Sequence, residues 1–191
     1  LYLTEVADAR AYGSVELLAG DRVKSFLEKM ENPPSNLINA GCYVFSRSVI
    51  DAIPDGKVVS VERETFPQLL AADKKVFGFV DRSYWLDIGT PAALIKGSKD
   101  LITGMVFSAA TPAHNGDSII ASSASVAGDA KISAGTNIQP QVIVEGNCEV
   151  TGSIIGEGAT IGANSKIIDS FIAPKTKIPA GTVAINNYLG F

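Results

Sequence analysis

From Ile120 onward an aliphatic residue returns at every sixth position: Ile120, Val126, Ile132, Ile138, Val144 and Val150. After a one-residue slip the beat resumes at Ile155, Ile161 and Ile167, and after another at Ile172 and Ile178. Two positions ahead of most of these stands a small or β-branched residue: Ala124, Ala130, Thr136, Val142, Cys148, Ala159, Ser165 and Thr176. An amphipathic helix repeats every ~3.6 residues and a half-buried strand every ~2, so neither produces a hexad. The pattern predicts a parallel β-helix, in which short flat faces form a triangular coil and stacked coils bury the aliphatic column. The small residues then fill the corners.

Residues 1–102 carry a mixed α/β pattern instead. Tyr12 to Leu17 and Arg22 to Phe26 read as strands joined by a Gly20-Asp21 turn, a hairpin signal. Ile38 to Phe45 reads as a buried strand broken by Gly41, and Ser46 to Ile53 as a short helix ended by Pro54. Phe66 to Ala72 reads as a second short helix and Val76 to Val80 as a strand. Thr90-Pro91 supplies an N-cap and a first-turn proline for a helix through Leu101, with Gly104 as its stop. The expected organisation is an α/β portion over 1–102, a linker over 103–118, the hexapeptide β-helix over 119–184 and an apolar-aromatic tail over 185–191.

Composition narrows the class. The 191 residues are 46% hydrophobic and 19% charged, ordinary for a globular chain of one large domain or two small ones. A formal net charge of −4 argues against nucleic acid as the main partner, because phosphate binding needs a basic face. No run reaches the ~18 apolar residues of a membrane span. The two cysteines, Cys42 and Cys148, lack paired or metal-type spacing, which suits a reducing, cytoplasmic compartment. The chain opens on Leu1, and the expectation is that it is cut from something longer.

Four short constellations in the first half carry candidate chemistry: Tyr12-Gly13, Glu28-Lys29, Asn39-Ala40-Gly41 and Trp85-Leu86-Asp87-Ile88-Gly89-Thr90. The last is an acid between an aromatic and a glycine at a strand-to-helix junction, where α/β sheets bind ligands. An Asp there suits a hard cation such as Mg²⁺, which takes a carboxylate together with substrate phosphates. Each has a plainer reading. Glu28-Lys29 also suits a solvated pair at a strand end, Asn39 a turn cap with Gly41 a bulge, Tyr12 a sheet aromatic, and Asp87 a helix-start acid.

Taken in order, the set resembles the sugar-1-phosphate nucleotidyltransferases. The likeness rests on Y-G-S-V-E at Tyr12, F-L-E-K at Phe26, I-N-A-G at Ile38, S-V-E-R-E-T-F-P at Ser60 and Y-W-L-D-I-G-T-P at Tyr84, followed by a hexapeptide solenoid. The Ser60 and Trp85 stretches are most similar to the mannose-1-phosphate guanylyltransferase branch. The resemblance implies a left-handed coil, and transfer of a nucleotidyl group from an NTP, with GTP favoured, to a sugar 1-phosphate, with mannose 1-phosphate favoured. The flat faces and open end edges of a solenoid invite association, so homo-oligomers formed through the β-helix are expected. Glu28 would hold sugar hydroxyls and Lys29 the sugar phosphate. Asn39 and Gly41 would line the sugar, Tyr12-Gly13 would border the same pocket, and Asp87 would be one of two aspartates on the catalytic Mg²⁺. Lys29 and Asp87 are thus the expected catalytic residues, while Glu62 and Glu64 receive no catalytic role.

Met30 departs from the family pattern, which has proline after the Glu-Lys pair. The family's glycine-rich NTP loop and first metal-binding Asp have no counterpart here, so this stretch alone is expected to be inactive. Gly156, Gly158 and Gly162 fall in the hexad register and read as solenoid corners rather than a phosphate loop. Two other readings remain open: a hexapeptide-repeat acyltransferase using His114 as a base, and a non-catalytic regulatory or oligomerisation subunit.

Overall fold

In the first strand pair, Gly20 and Asp21 both take left-handed backbone, φ +76° and +59°, which turns the chain with the twist of the strands it joins. The computed structural model describes Leu1–Gly190 and divides there into two compact units, one spanning Leu1–Trp85 and the other starting at Leu86. In the first unit, β2 (Gly13–Leu17) and β3 (Val23–Glu28) pair antiparallel with Gly13 opposite Glu28. β1 (Tyr2–Glu5), which the sequence pattern left unassigned, lies between β4 (Leu37–Asn39) and β5 (Phe79–Val80). It runs antiparallel to β4 and parallel to β5, giving the order β3-β2-β4-β1-β5.

Two predicted strands are shorter than their apolar runs. The run from Ile38 to Phe45 stops as a strand at Asn39, because Asn39 Oδ1 captures the Gly41 amide at 3.0 Å and Gly41 turns at φ +84°. The run from Val76 contributes only Phe79–Val80 to the sheet, with Phe77 making a single bridge to Arg22. Helix α1 (Arg47–Asp51), a π-helical turn (Val61–Thr65) and α2 (Phe66–Ala71) complete the unit. Leu3, Val15, Val23, Phe26 and Phe66 form its core. Phe66 stacks on Phe45 at 5.6 Å and lies 5.1 Å from Phe26, ring to ring.

The second unit begins with α3 (Pro91–Ile102), capped by Thr90 Oγ1 accepting the Ala93 amide at 3.2 Å. The family-like motif ends in this helix, yet α3 packs on the solenoid. Lys99 Nζ donates to Asp169 Oδ1 at 2.8 Å, and a Cβ on Gly135 would stand 2.7 Å from Lys99 Cγ. Gly135 therefore lets the helix approach.

The hexad builds a parallel β-helix of three sheets running from Ser118 to Leu189, consistent with a left-handed coil. Ile120, Ile138, Ile155, Ile172 and Leu189 stack in register on one face. Val126, Val144, Ile161 and Ile178 stack on the second, and Ile132, Val150, Ile167 and Ala184 on the third. The slips in the hexad have a structural cause at one corner. In the first coil two left-handed residues turn it, Ala134 (φ +53°) and Gly135 (φ +80°). Later coils use one each: Gly152, Asp169 and Asn186, at φ +57°, +43° and +52°. Hydroxyls hold this shortened corner together: Ser153 Oγ accepts the Ser170 amide and Ser170 Oγ the Asn187 amide, both at 3.0 Å.

Tyr188–Leu189, inside the expected tail, pairs with Phe171–Ile172 and so adds a strand to the solenoid. Of that predicted tail, Phe191 lies outside the described residues. No helix among the described residues is long and apolar enough to cross a membrane.

Candidate functional site

Six of the predicted residues meet at one end of the first sheet. Tyr12 leads into β2, which Gly13 opens, Glu28 closes β3 directly opposite Gly13, and Asn39 closes β4 on the other side of β2. The Lys29 amide donates to the Tyr12 carbonyl at 3.1 Å, which ties the two strand ends. A Cβ on Gly13 would fall 2.9 Å from Glu28 Oε2, so the glycine leaves room for the carboxylate. The Tyr12 ring meets Trp85 edge-on at 5.7 Å, and Trp85 Nε1 donates to the Ala40 carbonyl at 3.4 Å. That indole closes the border between Tyr12 and the Asn39-Ala40-Gly41 turn.

Glu28 is the least satisfied group in the site. Its side chain is 14% exposed and it accepts no hydrogen bond among the described residues. Its nearest cation is Lys29 Nζ at 3.9 Å. Burial pushes the Glu28 carboxyl above the ordinary range, and the charge of Glu62 adds to that, while Lys29 and Arg63 oppose it. A carboxylate held this way gains most from hydroxyl donors, which a sugar supplies.

Lys29 takes left-handed backbone, φ +52°. A residue preceding proline is held to extended backbone with negative φ. Met30, the departure from the family pattern, is what makes this conformation accessible.

The structure adds two residues, Tyr43 and Glu62, to which the motifs gave no role. Asn39 Nδ2 donates to Tyr43 Oη at 2.5 Å and to Glu62 Oε1 at 2.7 Å, and Tyr43 Oη donates to Glu62 Oε1 at 3.1 Å. Burial is the main cause raising the Tyr43 phenol above its usual range. Glu62 sits on the π-helical turn, whose start is fixed by Ser60 Oγ accepting the Arg63 amide and Glu64 Oε1 accepting the Ser60 amide. Single π-turns gather at functional sites. The sequence signal was the S-V-E-R-E run, in which Ser60 and the acids after it mark a helix start without revealing where Glu62 points.

Asp87 belongs to the second unit, exposed on the segment that leads into α3. Among the described residues no three of His, Cys, Asp or Glu gather as a metal cluster. His114 is exposed, and its Nδ1 accepts the Gly116 amide at 2.9 Å within its own loop. In the Gly156 region a Cβ at Gly156 would lie 2.6 Å from Pro174 N, and one at Gly162 would lie 2.8 Å from Ile178 O. Those glycines admit the next coil.

A family model described as Nucleotidyl transferase matches residues 1–104. A mannose-1-phosphate guanylyltransferase of Mycobacterium tuberculosis is 45% identical over 184 residues, covering 96% of this chain and 46% of the relative. A bifunctional sugar-1-phosphate nucleotidylyltransferase/acetyltransferase of Sulfurisphaera tokodaii is 30% identical, covering 95% of this chain and 52% of the relative. A probable mannose-1-phosphate guanylyltransferase 3 of Arabidopsis thaliana is 37% identical over 63% of this chain and 36% of the relative. The chain thus spans about half the length of these relatives, or less.

Proposed function

The chain belongs to the nucleotidyl transferase family, and from that premise we propose that it supplies the sugar-phosphate side of an enzyme making a nucleotide sugar. The substrates are an NTP, with GTP favoured, and a sugar 1-phosphate, with mannose 1-phosphate favoured; similarity to mannose-1-phosphate guanylyltransferases supports both choices. A phosphate oxygen of the sugar 1-phosphate forms a bond to the α-phosphorus as the bond to the leaving pyrophosphate breaks. The attacking oxygen is already anionic, so the step needs positioning and charge neutralisation rather than a general base.

The observation that carries this reading is the covered, donor-hungry Glu28 carboxylate beside the exposed Lys29 ammonium. One accepts sugar hydroxyls while the other neutralises the sugar phosphate. Asn39 and Gly41 would line the sugar at the same strand ends. Mg²⁺, when bound, would offset the phosphate charge, and Asp87 fits as one ligand. It is an exposed carboxylate, and Mg²⁺ characteristically takes one or two carboxylates and fills its shell with phosphate oxygens and water.

The test is pyrophosphate release from GTP and mannose 1-phosphate by the gene product that carries this chain. Lys29→Ala is expected to raise KM for the sugar phosphate about tenfold or more. Asp87→Ala is expected to lower kcat by about a hundredfold or more. Release unchanged in Asp87→Ala sinks the metal role. Activity on no sugar 1-phosphate at all sinks the whole reading.

A further inference from the structure

Asn39 uses both of its amide hydrogens inside the protein. One goes to Tyr43 Oη at 2.5 Å and the other to Glu62 Oε1 at 2.7 Å, and Tyr43 closes the triangle by donating to that same oxygen. Asn39 Oδ1 accepts the Gly41 amide at 3.0 Å and keeps a second lone pair. Turning the amide over would set Oδ1 against the Glu62 carboxylate, acceptor against acceptor, so Glu62 fixes which way Asn39 faces. Asn39 is 7% exposed, and reorientation without a partner would strand a buried amide. The hydrogen-bonding capacity left on this triangle and on neighbouring Glu28 is acceptor capacity only.

Resting on the sugar-phosphate reading above, we infer that Glu62 is a positioning residue for sugar selectivity. It locks the Asn39 amide, with Tyr43 as its second anchor, so that Asn39 meets the sugar as an acceptor and demands a free hydroxyl. The ligand class is a sugar 1-phosphate with unblocked ring hydroxyls. A deoxy or O-methyl analogue leaves Asn39 Oδ1 or Glu28 unpaired, and sites built on such acceptors discriminate strongly.

The experiment compares mannose 1-phosphate with its monodeoxy analogues, using the gene product that carries this chain as wild type, Glu62→Ala, Glu62→Gln and Tyr43→Phe. In the wild type, at least one monodeoxy analogue should lose about thirtyfold or more in kcat/KM. Glu62→Ala should raise KM for mannose 1-phosphate about tenfold and leave KM for GTP within about twofold. It should also shrink the deoxy penalty to about threefold or less. Glu62→Gln keeps an acceptor oxygen and should restore most of the KM and the penalty. Tyr43→Phe, which removes only a hydroxyl, should move both in the same direction by a smaller factor, and it carries the test if Glu62→Ala does not fold.

A purely structural role for Glu62 would change stability without touching the deoxy penalty. The inference is overturned by a wild-type penalty in folded Glu62→Ala or, if that variant does not fold, in Tyr43→Phe. Glu62→Gln as defective as Glu62→Ala also overturns it, since the charge rather than the lock on Asn39 would then be what matters. A wild type that accepts no sugar 1-phosphate sinks the functional reading and this inference together, whereas normal wild-type turnover with unaltered variants sinks the inference alone.

Discussion

Ile161 offers the sharpest test of how the solenoid is held together. Its side chain is fully buried, stacked in register between Val144 and Ile178. Truncation to alanine removes roughly three methylene equivalents, worth about 2.4 kcal/mol of transfer energy at ~0.8 kcal/mol each. A cavity term adds to this in proportion to how little the neighbours can move. Here they move little, because backbone ladders set the coil spacing on both sides: the Glu145 amide donates to Ile161 O at 3.0 Å and the Gly162 amide to Ile178 O at 2.9 Å. The expected cost is therefore in the upper part of the ~2–5 kcal/mol range, about 4 kcal/mol.

Hydrogen exchange followed by mass spectrometry reads this directly at the ladder amides. A loss of about 4 kcal/mol accelerates exchange through local opening by about a thousandfold. The effect should be largest in the coil of Ile161 and its two neighbours and fade beyond them, because each coil touches only the next. Ile185→Ala is the control: that side chain is 49% exposed and should cost less than about 1 kcal/mol. Acceleration below about tenfold in Ile161→Ala would mean that the column can collapse, and the rigid-ladder argument would be wrong.

Two further outcomes follow from single sites. Gly156→Ala places a Cβ 2.6 Å from Pro174 N and 2.7 Å from Ile172 O, both backbone, and should cost about 2–3 kcal/mol in thermal unfolding, whereas Gly128→Ala, which meets open space, should be nearly neutral. If the two behave alike, the close coil approach is not what selects Gly156. Glu28 has a folded pKa above its ordinary value, so the stability tied to its neutral form is fully present below the ordinary carboxylate range and is lost as pH rises through the raised value. Glu28→Gln should therefore raise Tm at about pH 7 and bring little gain at about pH 4; equal shifts at both pH values would refute the assignment.

The solenoid was legible in the sequence because its rule is local and repeated. One aliphatic side chain per short face, always in register with the same residue of the next coil, prints a hexad that neither helices nor ordinary strands make. Even the slips carried structural information, since they mark the corner where Ala134 and Gly135 give way to single residues at Gly152, Asp169 and Asn186. The length of the Ile38 strand was half legible: Asn39 as a turn cap and Gly41 as a break marked the turn, but the apolar run Tyr43, Val44, Phe45 beyond it still read as strand although the ladder ends at Asn39. The β1 strand was missed for a related reason. Its four residues have too little period to stand out, and their pairing partners lie far along the chain, at Leu37–Asn39 and Phe79–Val80.

The candidate site divides along the same physical line. Tyr12, Gly13, Glu28 and Asn39 could be picked from short motifs because each stands at a strand end, and strand ends of paired neighbours meet in space. Glu62 could not be picked that way. It reaches Asn39 from a π-helical turn 23 residues further on, and although it lies in the S-V-E-R-E-T-F-P stretch, nothing in that stretch says that its side chain turns toward Asn39. Its importance is relational: with Tyr43 it consumes the donors of Asn39 and leaves acceptors behind. A motif names residues one at a time, whereas what Asn39 can still offer a ligand depends on which hydrogen bonds are already made. Selectivity of that kind becomes visible only when donors and acceptors are counted on the folded chain.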